Sequence, residues 1–191
     1  MKTEIRIIKE FINSKKPMTI REIAKAIKSD YRITYIAAQR LVSKGIIAAK
    51  TVGKSSLCSL NDHYYGIEIY KSENERKESI LKNKDIKQLY REIMNKLDSS
   101  LFILLLFGSY AKGKQTKSSD IDLMFISNDT KIVEKVNSII SILPLRLHAN
   151  TLTEEEFIRM KDAKKLNVVK EIIENNIILY GIESFYKLKN A

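Results

Sequence analysis

The pattern of apolar positions at the start of the chain predicts two short helices. Apolar side chains recur at helical spacing over residues 3–13, between charged ones, at Ile5, Ile8, Phe11 and Ile12. Thr19, followed three residues later by Glu22, is typical of a capping box and predicts the start of a second helix that ends near Lys28. Each helix has one apolar face, which indicates a shared small core.

A third helix and a hairpin follow. Ser29 or Asp30 can cap the third helix, and Gly45 is a C-terminal stop signal. We expect its inward face to carry Ile33, Ile36, Ala37, Leu41 and Val42. Two extended runs, IIAAKTV and SSLCSL, lie on either side of Gly53 and Lys54 and predict a hairpin.

Three short helices and a basic hairpin within about 60 residues make a winged helix-turn-helix, and we assign this domain to residues 1–62. The stretch TIREIAKAIKSDYRITYIAAQRLVSKGII resembles the second helix, turn and recognition helix of small winged-helix transcription regulators. The resemblance covers residues 3–60. It implies binding to double-stranded DNA.

The candidate DNA contacts lie on the third helix and the hairpin. On the helix they are Tyr31, Arg32, Thr34, Tyr35, Gln39 and Arg40, and on the hairpin Lys50 and Lys54. Arg and Gln can read base edges, whereas Tyr, Thr and Lys more often contact phosphates. The alternative is a winged helix that contacts protein.

The distribution of charge favours DNA over that alternative. The 191 residues carry a formal net charge of +11. Residues 1–62 contain 13 Lys or Arg and 5 Asp or Glu, so most of the excess lies in the first third of the chain. A compact, strongly basic module is typical of nucleic-acid binding.

The rest of the chain has the pattern of an α+β domain. After a polar connector over 63–84, a helical stripe comprises Ile86, Leu89, Tyr90, Ile93, Met94 and Leu97. Strands are then predicted at 101–107, 120–126, 145–152 and 177–181, and helices at 131–142, 153–162 and 166–175. We therefore expect a mixed sheet flanked by helices over 85–191.

The segment LFGSYAKGKQTKSSDIDLMFI carries the candidate chemistry. Asp120 and Asp122 are two positions apart at the start of a strand, so both carboxylates point to the same face. Paired hard oxygen ligands suit Mg²⁺. Gly108 allows a close backbone approach, Ser109 and the following amides can hold phosphate oxygens, and Lys112 adds positive charge. The segment therefore predicts a site for Mg²⁺ and a nucleoside triphosphate.

Gly-Ser followed after about ten residues by Asp-x-Asp resembles the signature of the DNA polymerase β-like nucleotidyltransferase superfamily, most closely its minimal nucleotidyltransferases. The resemblance covers residues 85–183. The ending, LTEEEF followed by VVKEIIENNIILYG, also resembles archaeal and bacterial proteins in which such a domain follows a winged helix. The resemblance to the superfamily implies nucleotide binding by Gly108, Ser109 and Lys112. It also implies metal binding and catalysis by Asp120 and Asp122.

One feature departs from the superfamily. Active members usually carry a third carboxylate on a later strand, but the matching strand, LRLHANTL, contains neither Asp nor Glu. His148 lies on that strand, and a lone His there is more often a packed or surface residue than a base. Glu154, Glu155 and Glu156 open the next helix, where acidic residues are ordinary partners of the helix dipole.

Two main functions are compatible with these features. The first is a DNA-binding transcription regulator whose second domain binds Mg-NTP with weak or no transfer. The alternative is an active nucleotidyltransferase that modifies a protein, a nucleic acid or a small molecule. The resemblance to minimal nucleotidyltransferases alone also implies a third function, an antitoxin that modifies or binds a small helical toxin. The missing carboxylate favours the first function. The intact Gly-Ser and Asp-x-Asp favour the second.

Assembly and location complete the expectations. A homodimer would form through the 86–97 stripe or the first helix, unless that stripe packs within its own domain. The longest apolar run, 101–107, has seven residues, whereas a membrane-spanning helix needs roughly 20. With a charged N-terminal segment and Cys58 as the single cysteine, we expect a cytoplasmic protein without membrane contact.

Overall fold

The computed structural model describes residues 2–53, 55–97 and 101–191. The chain divides into two compact units, Met1–Asn74 and Glu75–Ala191. The division falls inside a helix, α4, that spans Ile67–Ile80 within the segment predicted as a connector.

The first unit contains the helices and the hairpin that the apolar pattern predicts. Its helices are α1 (Lys2–Ser14), α2 (Ile20–Ala26) and α3 (Tyr31–Ser43). Its strands are β1 (Met18–Thr19), β2 (Ile47–Val52) and β3 (Ser55–Leu60), paired antiparallel in the order β1-β3-β2. The three helices pack on one another around the apolar face of α1.

Two helix starts in this unit confirm the capping signals. Thr19 caps α2 in a capping box: its backbone N–H donates to Glu22 Oε2 at 2.7 Å, and its Oγ1 accepts from the backbone N–H of Glu22 at 3.3 Å. Asp30 caps α3 by accepting from the N–H groups of Arg32 and Ile33. Such caps satisfy amides that a helix cannot satisfy itself, each worth about 1 kcal/mol.

The inward face of α3 differs from the prediction. Ile33 and Ile36, expected in the core, are 54% and 52% exposed. The buried residues of this helix are Thr34, Ala37, Ala38 and Leu41. Thr34 is fully buried and its hydroxyl donates to the Asp30 carbonyl at 2.8 Å, so burial leaves that group hydrogen-bonded. A buried threonine whose hydroxyl is hydrogen-bonded therefore occupies a core position that the hydrophobic pattern alone predicts for isoleucine.

The second unit begins with the C-terminal half of α4 and the helix α5 (Lys84–Lys96). Its strands are β4 (Ile103–Phe107), β5 (Ile121–Ile126), β6 (Leu147–Leu152) and β7 (Ile177–Tyr180). The other helices are α6 (Gly108–Ala111), α7 (Thr130–Ile142), α8 (Glu154–Asp162), α9 (Val168–Glu174) and α10 (Ile182–Asn190).

The sheet of the second unit is mixed, as expected, with the order β6-β5-β4-β7. β5 and β6 are parallel, whereas β4 is antiparallel to both β5 and β7. The two central strands supply buried residues to the core, and α5 and α7 cover it with their apolar faces. Burying a large aliphatic side chain contributes roughly 1.5–3 kcal/mol, so this core is the main source of stability in the unit.

The stripe on α5 belongs to this core. Ile86, Leu89 and Ile93 are fully buried, and Tyr90, Met94 and Leu97 pack beside them. The apolar face of α1 is likewise buried within its own unit. The apolar residues of both surfaces suggested for a homodimer are therefore buried in the single chain, and the homodimer itself stays a prediction. Within the described residues, no helix is long and apolar enough to cross a membrane.

Candidate functional site

The Gly-Ser turn and the Asp pair meet at one end of the β4–β5 hairpin. Phe107, the last residue of β4, is the register partner of Asp122 on β5. Gly108 and Ser109 follow at once as the first residues of α6, and Asp120 directly precedes β5. Antiparallel pairing thus brings together two parts of the motif that are twelve residues apart in the sequence.

Gly108 is required by both backbone geometry and space. Its φ is +66°, in the left-handed region that favours glycine, so the chain can turn from β4 into α6. A Cβ at this position would lie 2.9 Å from Cγ of Asp122 and closer still to the carboxylate oxygen Oδ2. The Asp122 carboxylate therefore lies against the turn, in space that only glycine leaves open.

The charges around Asp122 define the electrostatics of the site. Partial burial raises the pKa of the Asp122 carboxyl, and the negative charges of Asp120 and Glu171 raise the pKa further. The nearby His148 and Lys112 act in the opposite direction. A half-buried carboxylate with two acidic neighbours is stabilised by a cation, because the cation offsets both the burial and the repulsion.

Lys112 and Glu171 form an ion pair at the edge of this site. Lys112 follows α6 as its C-cap, and its Nζ lies 2.7 Å from Oε1 of Glu171 on α9. Their side chains are 35% and 47% exposed, so water competes with the contact. The sequence did not indicate Glu171, because its position depends on how α9 packs in the folded unit.

His148 lies beside Asp122. The two are register partners on the parallel strands β5 and β6, so their side chains leave the same face of the sheet. His148 is exposed. The strand on which the resemblance leads us to expect a third carboxylate thus has an imidazole at the position next to the Asp pair.

The three glutamates that open α8 lie away from the Asp pair. They follow the C-terminal end of β6, whereas Asp122 and His148 lie near the N-terminal ends of the paired strands. Six residues of extended chain from His148 to Glu154 span about 20 Å. Glu156 is also engaged in the capping box of Thr153. These residues supply no third carboxylate.

The carboxylate ligands at this site fit a Mg²⁺ ion that is bound together with the phosphates of a nucleotide. Among the described residues, no three acidic, His or Cys side chains form a complete metal cluster. Mg²⁺ does not need one, because it is commonly held by one or two carboxylates together with substrate phosphates and water. Asp120 and Asp122 provide the carboxylates, and the turn that Gly108 permits lies directly against one of them.

The third helix presents most of the residues predicted to contact DNA. Arg32 and Gln39 are exposed, and Tyr31 and Tyr35 are 47% and 46% exposed with their rings stacked at 6.3 Å. Lys50 is exposed on β2.

Thr34 is buried, so its predicted contact with DNA is wrong: the hydroxyl is used within the helix. Arg40 is exposed, but its Nη1 lies 3.5 Å from Oε1 of Glu4 on α1. Its guanidinium therefore has an intramolecular partner. Lys54 lies outside the described residues.

Comparison with known proteins assigns the second unit. The family model described as polymerase β nucleotidyltransferase matches residues 87–184, just over half of the chain. A candidate protein adenylyltransferase of Methanocaldococcus jannaschii is 32% identical over 96 residues, which cover 48% of this chain and 69% of the relative. A crystal structure of a toxin–antitoxin with AMP-PNP is 20% identical with a TM-score of 0.33, covering 55% of this chain and 77% of that one.

The family match begins within α5 and ends within α10, and it includes the Gly-Ser turn, the Asp pair and α9. The chain belongs to the polymerase β nucleotidyltransferase family.

Proposed function

We propose that the second unit transfers a nucleoside monophosphate from Mg-NTP to an acceptor hydroxyl. The observation that carries this proposal is the meeting of Asp120 and Asp122 with the Gly108–Ser109 turn at one end of the β4–β5 hairpin. Of the two functions suggested by the sequence, transfer is nearer to the family assignment and to the relative described as an adenylyltransferase.

In the proposed reaction the acceptor oxygen attacks the α-phosphorus, a new O–P bond forms, and the bond to the pyrophosphate oxygen breaks. Pyrophosphate leaves with the bonding electron pair, and the acceptor proton passes to a base. Bound Mg²⁺ supplies charge neutralisation and orients the phosphates. Asp120 and Asp122 would hold it, Ser109 and its neighbouring amides would bind phosphate oxygens, and Lys112 would bind the triphosphate as a cation.

We propose ATP as the donor and a protein as the acceptor, because the relative that shares this segment is described as acting on protein. The test is incubation of the full chain with each of four NTPs labelled at the α-phosphate, with Mg²⁺ and a cell extract. We expect ATP label in a protease-sensitive product, and none when EDTA replaces Mg²⁺. Label in a nuclease-sensitive product would instead identify a nucleic-acid acceptor.

A second function is favoured by a separate observation in the first unit. We propose that residues 1–62 form a winged helix that binds duplex DNA through α3. In support, the outward face of α3 carries Arg32, Ile36 and Gln39, all exposed, in a unit with a large excess of basic residues. Arg and Gln hydrogen-bond base edges, and apolar side chains contact the thymine methyl group.

Arg32→Ala should weaken binding to a short duplex about tenfold, since an arginine contact to DNA is worth about 1–3 kcal/mol. The matched control is Arg91→Ala on the exposed surface of α5, which removes the same charge elsewhere. Fluorescence anisotropy at several salt concentrations measures both, and wild-type affinity should fall steeply with salt. Equal affinities of the two variants would remove α3 from the interface.

A further inference from the structure

The ion pair between Lys112 and Glu171 joins two sequence-distant residues beside the Asp pair. Lys112 is fixed one turn after the Gly-Ser motif, and Glu171 lies in the middle of α9. Their contact, Nζ to Oε1 at 2.7 Å, is partly exposed to water. Pairs of this kind contribute at most about 1 kcal/mol, so a ligand can separate them at little cost.

Both members of the pair affect the pKa of the Asp122 carboxyl: the charge of Glu171 raises it and the charge of Lys112 lowers it. Lys112 thus neighbours the carboxylates that would hold the metal and the turn that would hold phosphates. A triphosphate carries several negative charges and forms strong charge-assisted hydrogen bonds with an ammonium group. It therefore competes well with the single carboxylate of Glu171 for Lys112.

Transfer also needs a group that removes the acceptor proton. Strand β6 contributes no carboxylate, and the glutamates that open α8 are at its far end. Two acidic residues, Asp120 and Glu171, raise the pKa of Asp122, and Asp120 belongs to the metal-binding pair. Within the part of the chain that the structure describes, Glu171 is the remaining one, and it comes from a helix rather than from a strand.

We propose that Glu171 is the general base of the transfer reaction, freed when Lys112 leaves it for the triphosphate. This inference rests on the proposed function. The acceptor hydroxyl gives its proton to a Glu171 carboxylate oxygen while its own oxygen forms the bond to the α-phosphorus. Pyrophosphate departs as that bond forms, and the proton later passes to solvent. The Glu171 carboxylate is therefore separated from Lys112, and can accept the proton, only when nucleotide is bound.

The test compares Glu171→Gln with Glu174→Gln, a matched control three residues later on α9 that is also exposed. Removing a positioned base typically costs about 10²–10⁴-fold in rate. We therefore expect Glu171→Gln to lower kcat for adenylyl transfer at least about 10²-fold without raising KM for ATP. Glu174→Gln should resemble the wild type, and Glu171→Asp should recover part of the rate.

A binding measurement separates this role from a structural one. In calorimetry with Mg-ATP, Glu171→Gln should bind as tightly as the wild type or more tightly, because Lys112 is no longer held. Lys112→Met should bind ATP more weakly and raise KM. Weakened ATP binding by Glu171→Gln would overturn the proposed release of Lys112.

Two other results would be decisive. An unchanged kcat in Glu171→Gln would overturn the inference while leaving the proposed function intact, and a large loss in His148→Ala instead would assign the base to that imidazole. A wild-type protein that binds Mg-ATP but transfers nothing to any acceptor would overturn the proposed function, and the base with it.

Discussion

Replacing both Asp120 and Asp122 with asparagine is expected to abolish Mg²⁺-dependent nucleotide binding and transfer. Asparagine keeps the size of each side chain but removes the charge that a divalent cation requires. Charge stabilisation by a metal ion is worth several kcal/mol in a transition state, and each 1.36 kcal/mol is tenfold in rate. We therefore expect transfer to fall by about 10³-fold or more. Radiolabel transfer and calorimetry with Mg-ATP measure the two losses.

The control removes two negative charges from the same unit without touching the site. Asp85→Asn combined with Asp162→Asn does so, because both residues are exposed and lie at the start of α5 and the end of α8. This variant should retain binding and transfer. If Asp120→Asn with Asp122→Asn bound Mg-ATP as the wild type does, the site would be refuted.

Gly108→Ala is expected to have a comparably large effect through geometry. The added Cβ would overlap the Asp122 carboxylate, which must then move from its place against the turn. A displacement of about 1 Å in an active site can cost about 10²-fold in rate. We expect at least that loss in transfer, together with weaker binding of Mg-ATP.

The chain offers a matched control for this substitution at Gly113. Its φ is +64°, nearly the same as at Gly108, but a Cβ there would meet nothing within 4 Å. Both alanine variants bear the strain of the left-handed conformation, roughly 1–2 kcal/mol each, which thermal unfolding measures. Only Gly108→Ala should lose transfer. Equal activity of the two variants would show that the close approach of Asp122 is not needed.

The sequence predicts the fold well where hydrophobic periodicity and burial coincide. The stripe of α5 and the buried run of β4 are examples, and each forms its element close to the expected bounds. The pattern is misleading on α3, where a hydrogen-bonded threonine is buried and two isoleucines are exposed. It also misses α4, whose buried residues include Ser72, Glu73 and Arg76, because a polar buried face has no hydrophobic period.

The candidate site could be predicted only in part for a related reason. The Gly-Ser and Asp-x-Asp segments are close in sequence and joined by one hairpin, so strand geometry alone brings them together. His148 reaches Asp122 through a parallel pairing, and Glu171 reaches Lys112 through the packing of a helix 59 residues away. Contacts that depend on tertiary packing leave no local pattern in the sequence.

We propose above all that the chain transfers a nucleoside monophosphate, which contains the α-phosphate of the nucleotide. The most direct measurement compares ATP labelled at the α-phosphate with ATP labelled at the γ-phosphate, each incubated with the full chain, Mg²⁺ and extract. The account predicts that only the α-label enters an acceptor, while the γ-label is released as pyrophosphate. Incorporation of the γ-label, or of neither label while Mg-ATP binds, would contradict it.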